Sequence, residues 1–489
     1  MFGKFFYLNK QKENCSHNSK HAINQYTKNL SAKIEGFDLL IKNLENFQWR
    51  NEFQKQIVLE NIEKSCKRAQ HSSKVAISMF EEVKMKSSLL KVTCVTVPKD
   101  ILPPNYSCTL YDVKISSNKS DDFIYKENKW IRDNVTRGMN FMELTQKEEN
   151  FFDFGIYANK KFMGENGDED YLEQLDIDKM CEKFFLDSPM NATEVICMTK
   201  LDGEVGHFSV RKIGEEYYII AGSKNVHILY KTYTDIEKYT ESRFSVAKEL
   251  AKSVLDIFYK MDESKRRILE HFLNTTKSTI VCELLKPHHQ HIINCSHLRK
   301  STIYGLMMTS LPGEEGTNNS LTTIPPNMCL EYFKFFGIST PDYYSISVND
   351  VKENIDKMRR FKQIEGFVLY YLIKDRTIGL TKVKTIWYVI VRAIREKSEY
   401  NCKKKKKKPL PDRINEIKTR LDGIQKWLGF CDKCLDKWKD LGEAFLCWIS
   451  QEIEENRNIS KNNRPEFNMI WKEFVENCHK NYHFCCSDF

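Results

Sequence analysis

Apolar residues recur at helical spacing near both ends of the chain, and charged residues fill the opposite faces. Near the start these positions are Ile34, Phe37, Leu40, Ile41 and Leu44, continuing at Val58, Ile62, Cys66 and Ala69. Near the end they are Ile414, Ile417, Leu421, Ile424, Leu441, Phe445, Trp448 and Ile449. The patterns predict all-helical regions over residues 1–90 and 412–489.

Between these regions the pattern changes to short runs rich in β-branched and aromatic residues. Residues 92–97 form such a run, and residues 109–115 alternate between apolar and polar positions as a half-buried strand does. Helical spacing returns only in a few stretches, such as 245–259 and 262–274. Strands mixed with a few helices predict an α+β domain over residues 91–396.

A run of lysines separates this domain from the second helical region. Residues 403–408 are all lysine, and Pro409 and Pro411 follow directly. Dense like charge and proline predict a linker over residues 397–411. The run fits a solvated hinge, a nuclear import signal or a contact with RNA phosphates.

The composition is typical of a folded protein in a reducing compartment. Hydrophobic residues make up 41% of the 489 residues, and no apolar run is long enough to span a membrane, so we expect no membrane partner. The 16 cysteines, without a secretory signal at the start, predict an intracellular location in the cytoplasm or nucleus. The net charge of +9 fits a polyanionic partner.

The tetrapeptide Lys200-Leu201-Asp202-Gly203 is the strongest candidate for chemistry, and it closes a segment with strand character. We expect burial and nearby positive charge to lower the pKa of Lys200 toward neutrality, which would give the amine a lone pair to attack phosphorus. Asp202 would point to the same side as Lys200, and Gly203 would let the backbone approach a ligand closely. A strand end followed by an Asp-Gly turn is the structural alternative.

Further charged residues follow in order along the same predicted domain. Glu283 and Glu365 each lie in a strand-like run, and Lys224 ends another. Lys382 and Lys384 lie two apart in a predicted strand, so both ammonium groups face one side. Nucleotide transfer to a lysine needs such parts: a carboxylate for the ribose, another for Mg²⁺ or its waters, and lysines that neutralise phosphates.

These five segments resemble the nucleotidyltransferase motifs I, III, IIIa, IV and V of the covalent nucleotidyltransferase superfamily, meaning DNA ligases, RNA ligases and mRNA capping enzymes. The Ser-Lys at 223–224 and the Lys-x-Lys-x-x-Trp-Tyr at 382–388 look most like phage-type ATP-dependent RNA ligases and the ligase domain of tRNA ligases. Upstream, Arg137-Gly138 and Lys161-Phe162 are similar to two more elements of that group. The resemblance covers residues 130–392.

The resemblance implies a fold and a role for each residue. The fold would be α+β, a nucleotidyltransferase domain of antiparallel sheets with helices, flanked by all-α regions. Lys200 would carry AMP, Lys382 and Lys384 would contact its phosphate, and Glu365 would serve the metal. The residues that would hold the nucleotide are Arg137 and Lys161 at the β- and γ-phosphates, Asp202, Gly203 and Lys224 at the ribose or adenylate, and Glu283 at the nucleoside.

The activity that the resemblance implies is ATP-dependent RNA ligation in three steps, with ATP and Mg²⁺ as cofactors. AMP would pass from ATP to Lys200 and then to an RNA 5′-phosphate, and a 3′-hydroxyl would displace it, as in the repair of broken tRNA or another RNA. Outside the resemblance, the charge of the helical C-terminal region with its lysine run indicates RNA binding through phosphates, and the helical regions could equally recruit a protein partner. The alternatives are a capping guanylyltransferase, a DNA ligase and a catalytically silent RNA-binding relative.

Two other patterns were possible sites of chemistry. Cys431 and Cys434, with the cysteines and histidines near the end of the chain, have the residue types of a zinc site, although residues three apart in a helix are simply neighbours on one face. The histidines at 288, 289 and 291 are expected to support the nucleotide site. The chain has no Gly-x-x-x-x-Gly-Lys-Ser/Thr loop, so the kinase that some tRNA ligases carry is not expected here.

Overall fold

The predicted α+β class is confirmed: antiparallel sheets and helices make up the fold. A computed structural model describes residues 52–116, 118–165, 177–288, 292–313, 320–403, 408–454 and 467–478. Within those ranges, fourteen strands form one four-stranded and two five-stranded sheets. The helical stretches lie before, between and after these strands.

The strands occupy the middle of the chain. In order they are β1 Leu90–Thr96, β2 Tyr106–Ile115, β3 Met139–Gln146, β4 Glu149–Tyr157, β5 Met163–Gly164, β6 Glu194–Lys200, β7 Glu204–Ile213, β8 Glu216–Ser223, β9 Val226–Tyr230, β10 Thr279–Leu285, β11 Thr302–Thr309, β12 Tyr343–Ile346, β13 Gly366–Ile373 and β14 Arg376–Lys384. The orders across the sheets are β1-β2-β3-β4, β11-β10-β7-β8-β9 and β12-β6-β13-β14-β5. Neighbouring strands pair antiparallel, apart from the parallel pairing of β5 with β14.

The helices are longest at the two ends of the described chain. They are α1 Glu52–Met85, α2 Asp121–Glu127, α3 Lys129–Asn134, α4 Ile177–Phe184, α5 Tyr233–Glu237, α6 Ser245–Lys260, α7 Glu263–Thr276, α8 Pro326–Phe335, α9 Val351–Arg359, α10 Ile386–Lys403, α11 Leu410–Leu428, α12 Asp432–Glu454 and α13 Phe467–Cys478. The helices predicted at 245–259 and 262–274 are therefore present as α6 and α7. In the described part of the chain, no helix is both long and apolar enough to cross a membrane.

The first helix is packed onto the sheets. Helix α1 buries the predicted positions Val58, Ile62, Cys66 and Ala69, and it packs against β4 and α7. Lys277 joins these elements, because its ammonium donates to the Ala69 carbonyl at 2.9 Å and to the Ser72 hydroxyl. The earlier part of the predicted region 1–90 lies outside the described residues.

The last helices form a core of their own. Ile417, Leu421 and Ile424 of α11 pack with residues of α10, α12 and α13, as their spacing predicted, and Ile292 of the loop after β10 joins the same cluster. Helix α10 continues past residue 396 into the predicted linker, and most of the lysine run lies outside the described residues. The boundaries proposed at 90, 396 and 411 stay predictions.

Candidate active site

Strand pairing brings the first and last of the predicted motifs side by side. Lys200, the final residue of β6, lies opposite Gly366 of β13, and Gly366 in turn lies opposite Lys384 of β14. Two residues earlier along β6, Val368 separates Met198 from Lys382 in the same manner. Motifs that are almost 200 residues apart in sequence thus share one end of one sheet.

Glu365 is the direct partner of Lys200. The Lys200 Nζ lies 2.7 Å from the Glu365 Oε2, and the Glu365 side chain is 7% exposed. Glu365 precedes β13, and its carbonyl accepts from the Thr385 amide at 3.0 Å, which fixes the end of β13 against the end of β14. Lys384 lies within electrostatic reach of the same carboxylate. The buried Glu365 carboxylate therefore interacts with both Lys200 and Lys384 at the end of the sheet.

The predicted pKa of Lys200 is wrong for this state of the protein. Burial lowers the pKa of the Lys200 ammonium, but Glu365, Glu283 and Asp202 outweigh burial and raise that pKa above its ordinary value. The prediction assumed that positive charges surround Lys200, whereas three carboxylates act on its amine. Lys200 is consequently protonated at neutral pH, and it must give up a proton before it can act as a nucleophile.

Glu283 and Gly203 form the floor beside Lys200. The Gly203 amide donates to the Glu283 Oε1 at 3.0 Å, and an added Cβ at Gly203 would lie 2.6 Å from the Leu284 carbonyl. Glycine is therefore required by this close approach. Burial raises the pKa of Glu283 to about 7, against the opposing effect of Lys200. Near neutral pH the Glu283 carboxyl can consequently either donate or accept a hydrogen bond.

Asp202 has partners that the sequence did not indicate. Its Oδ2 accepts from the amides of Ile292 and Ile293 at 2.8 and 2.9 Å, and its Oδ1 accepts from the Tyr388 hydroxyl at 2.9 Å. Asp202 thereby connects the tetrapeptide of Lys200 to the loop after β10 and to helix α10. Tyr388 stood in the recognised motif at 382–388, but no local pattern indicated which residue it would meet.

The remaining predicted cations gather around the N-terminal end of α2. Lys161 forms an ion pair with Asp122, and the Lys224 ammonium lies 3.7 Å from the Asp121 carboxylate. Although burial raises the pKa of Asp122, the charges of Lys161, Lys382 and Arg137 lower it below its ordinary value. Those four cations, Arg137, Lys161, Lys224 and Lys382, are called the cation cluster below. The sequence indicated these four residues separately, for different parts of the nucleotide, and gave no sign of their acidic partners Asp121 and Asp122.

The Arg137 backbone is held by an irregular β connection. Its amide donates to the Asn159 carbonyl at 2.9 Å, and Thr136 forms a β bridge with Lys160. Gly138 follows with a φ of +111°, and an added Cβ there would collide with the imidazole of His207. This glycine is therefore required both by its dihedral angle and by the close packing under Arg137.

Within the described residues, no three His, Cys, Asp or Glu side chains are grouped to hold a metal ion. Cys431 and Cys434 do lie together, with their sulfur atoms 3.1 Å apart. The residues after Cys478 that were considered as further zinc ligands are not described. Of the three histidines after β10, His289 and His291 are likewise outside the described residues.

The solved structures to which this chain is similar include ATP-dependent RNA and DNA ligases. An archaeal ATP-dependent RNA ligase matches with a TM-score of 0.43 and 7% identity over 78% of this chain and 80% of its own. A putative ATP-dependent DNA ligase from Aquifex aeolicus gives 0.41 and 11% over the same shares. A mutant of the Naegleria gruberi RNA ligase with ATP and Mn gives 0.26 and 10%, over 62% of this chain and 97% of its own.

No protein-family model matches the chain, and no curated protein matches it either. The ligases above belong to the superfamily whose motifs the sequence resembles. Each of these TM-scores is below 0.5.

Proposed function

We propose that this protein is an ATP-dependent RNA ligase that joins a 5′-phosphate to a 3′-hydroxyl through a lysyl-AMP intermediate. The observation that carries the proposal is the lysine at the end of β6, which contacts a buried carboxylate and lies in one row with Lys384. A nucleophile, a proton acceptor and a fixed cation are the groups that nucleotidyl transfer to a lysine needs. The cation cluster then supplies charge for the remaining phosphates.

In the first step Lys200 attacks the α-phosphorus of ATP. Its proton passes to the Glu365 carboxylate, which lies 2.7 Å away, and the freed amine forms a nitrogen–phosphorus bond. The bond from the α-phosphorus to the bridging oxygen breaks, and pyrophosphate leaves. Lys382 and Lys384 offset the negative charge that builds on the phosphate oxygens.

In the second step the Lys200 amine is the leaving group, and in the third step it takes no part in the chemistry. An oxygen of the RNA 5′-phosphate attacks the phosphorus of lysyl-AMP, and the Lys200 amine leaves and takes back a proton. The 3′-hydroxyl of the second RNA end then attacks the activated 5′-phosphate, and AMP departs. Glu283, whose pKa is about 7, is placed to hydrogen-bond a hydroxyl or a base of the nucleoside.

The carboxylates beside Lys200 fit a divalent cation that is held mainly by substrate and water. Mg²⁺ is usually bound through one or two protein carboxylates together with phosphate oxygens and waters, and Glu365 and Glu283 offer such oxygens. When bound, the cation would add positive charge beside the Lys200 amine and the α-phosphate. The described residues offer no complete protein cage, which agrees with a metal that arrives with the nucleotide.

Arg137 and Lys161 of the cation cluster are the expected contacts of the β- and γ-phosphates, and Asp122 competes for Lys161. Replacing Asp122 by asparagine removes the carboxylate that is paired with Lys161, so ATP no longer displaces a charged partner. We expect the KM for ATP in lysine adenylation to fall about fivefold, as expected for the loss of one partly exposed ion pair.

The control for this change is Asp133→Asn, which removes a carboxylate of the next helix that pairs with Lys129 and Arg132. It should leave the KM for ATP unchanged. A rise in KM for Asp122→Asn would contradict the competition and would mean that the carboxylate helps to hold the nucleotide.

RNA is favoured over the other acceptors of the superfamily by the part of the chain after Lys384. Capping enzymes and DNA ligases usually carry an oligonucleotide-binding β-barrel after the final motif, whereas the described residues after β14 form only helices. The net charge of +9 suits a nucleic acid partner. Repair of broken RNA, such as cleaved tRNA, is the setting that this activity serves.

The test is a sealing assay with matched strands that differ only in their sugars. Wild-type protein with ATP and Mg²⁺ should join a 5′-phosphate RNA end to an RNA 3′-hydroxyl, and should fail when the 5′ end is a hydroxyl. Equal or better joining of all-DNA strands would contradict the RNA assignment and favour a DNA ligase. Transfer of GMP to an RNA diphosphate end would favour a capping enzyme.

A further inference from the structure

A cavity of about 450 Å³ lies between the nucleotidyltransferase sheets and the last helices. Three indoles contribute to its wall, from Trp387 of α10, Trp438 of α12 and Trp471 of α13. Amide side chains contribute as well, from Asn294 and Gln363, and Lys472 lies at the exposed side. The volume is within the range of about 300–1,000 Å³ that is usual for pockets that bind small ligands.

The cavity is lined by residues that neighbour or bind the active-site residues described above. Ile292 and Ile293, which line it, are the two residues whose amides hold the Asp202 carboxylate. Trp387 directly precedes Tyr388, the third partner of Asp202. Gln363 lies two residues before Glu365, so three separate segments lead from the cavity to the Lys200 site.

Gln363 shows an unusual conformation at this position. Its φ is +59°, in the left-handed region that residues other than glycine rarely adopt, and its side chain is exposed. Such backbone conformations occur preferentially where a loop is held for binding or catalysis. Val475 of α13, an apolar residue that is 38% exposed, also lines the cavity.

We propose that this cavity binds one unstacked base of the RNA substrate next to the break; the proposal rests on the ligase function above. The partly exposed indole of Trp387 offers a surface on which a base can stack, with the buried Trp438 and Trp471 behind it, and amide groups can donate to and accept from a base edge. Lys472 at the exposed side, which lies 3.7 Å from the Glu476 carboxylate, would exchange that partner for the phosphate that follows the base. The cavity would thereby place an RNA end beside Lys200.

The experiment measures RNA binding with and without the base, and it does not depend on catalysis. The probe is a short single-stranded RNA with a 5′-phosphate, in which each of the terminal nucleotides is replaced in turn by an abasic one. We expect one abasic position near an end to weaken binding to the wild-type protein about tenfold. Equal affinity for every abasic strand would overturn the proposal.

Two variants locate the effect in the cavity. Val475→Trp fills the opening, and Met469→Trp is the matched control, since Met469 is 45% exposed on the same helix and does not line the cavity. Val475→Trp should bind intact RNA about tenfold more weakly and should lose nothing further with the abasic strand. Gln363→Gly removes the side-chain amide, and glycine adopts the positive φ of this position without strain. A weaker affinity of this variant for RNA would therefore indicate loss of the amide and not backbone strain.

Measuring lysine adenylation distinguishes a cavity that binds a base of RNA from one that binds the adenine of ATP. Val475→Trp should be labelled by ATP with the wild-type rate and the wild-type KM. A raised KM for ATP in this variant would overturn the proposal and assign the cavity to adenine. Absence of lysine labelling in the wild-type protein would contradict the ligase function, while the binding measurements would still decide whether the cavity takes a base.

Discussion

Replacing Lys200 by alanine is expected to abolish the first two steps of ligation and to leave the third. The variant has no amine to attack the α-phosphorus, so covalent labelling by ATP should fall by roughly a thousandfold or more. RNA that already carries a 5′-5′ adenylate does not need Lys200 as a nucleophile, and the variant should still seal it. The measurement is a sealing assay that compares 5′-phosphate RNA plus ATP with preadenylated RNA.

The matched control is Lys212→Ala, which removes an exposed lysine of β7 that pairs with Glu215. Both substrates should be sealed by this variant at the wild-type rate. Joining of 5′-phosphate RNA by Lys200→Ala with ATP would contradict the assignment of the nucleophile. Loss of both reactions together with a lowered thermal midpoint would instead show that the substitution disturbs the fold, and Lys200→Met would then replace it.

Glu365→Gln is expected to have the second largest effect. Glutamine keeps the shape of the side chain but loses the charge that lies 2.7 Å from the Lys200 Nζ, so the ammonium loses its proton acceptor and the site loses an oxygen donor for the cation. We expect the rate of lysine adenylation at saturating ATP to fall about 100-fold, the size usual for loss of one group that acts in the transition state.

A control with the same change of charge at an exposed site shows whether the loss of charge alone accounts for the effect. Glu353→Gln removes an exposed carboxylate of α9 that pairs with Lys357, and it should adenylate like the wild-type protein. Retention of the wild-type adenylation rate by Glu365→Gln, measured in a single turnover, would contradict the role of Glu365 in the first step. A changed KM for ATP with an unchanged rate would assign Glu365 to nucleotide binding alone.

The fold was predictable where local pattern decides the structure. The strand character before Lys200 is present as β6, and the helical spacing that included Ser245 and Asp262 marked α6 and α7 to within two residues. The apolar face of α1 was also readable, since Val58 and Ile62 are fully buried. That this face packs against β4 and α7 could not be predicted, because no local pattern encodes contacts between distant elements.

The candidate site was predictable as a set of residues and less so as an arrangement. Lys200, Glu365 and Lys384 are brought together as the motifs implied. The proton on Lys200 was missed, because it depends on carboxylates that reach the amine from separate segments of the chain. The pairing of Asp122 with Lys161 was missed for the same reason, since an acidic residue that begins a helix is ordinarily a solvated one.

The measurement that tests the central claim most directly is covalent labelling of the purified protein. It is incubated with Mg²⁺ and either ATP or GTP labelled at the α-phosphate, and the modified peptide is identified by mass spectrometry. We expect label from ATP and not from GTP, attached to Lys200, and no label when a chelator removes the metal before the nucleotide is added. Folded protein that takes no label, or label on a lysine other than Lys200, would contradict it.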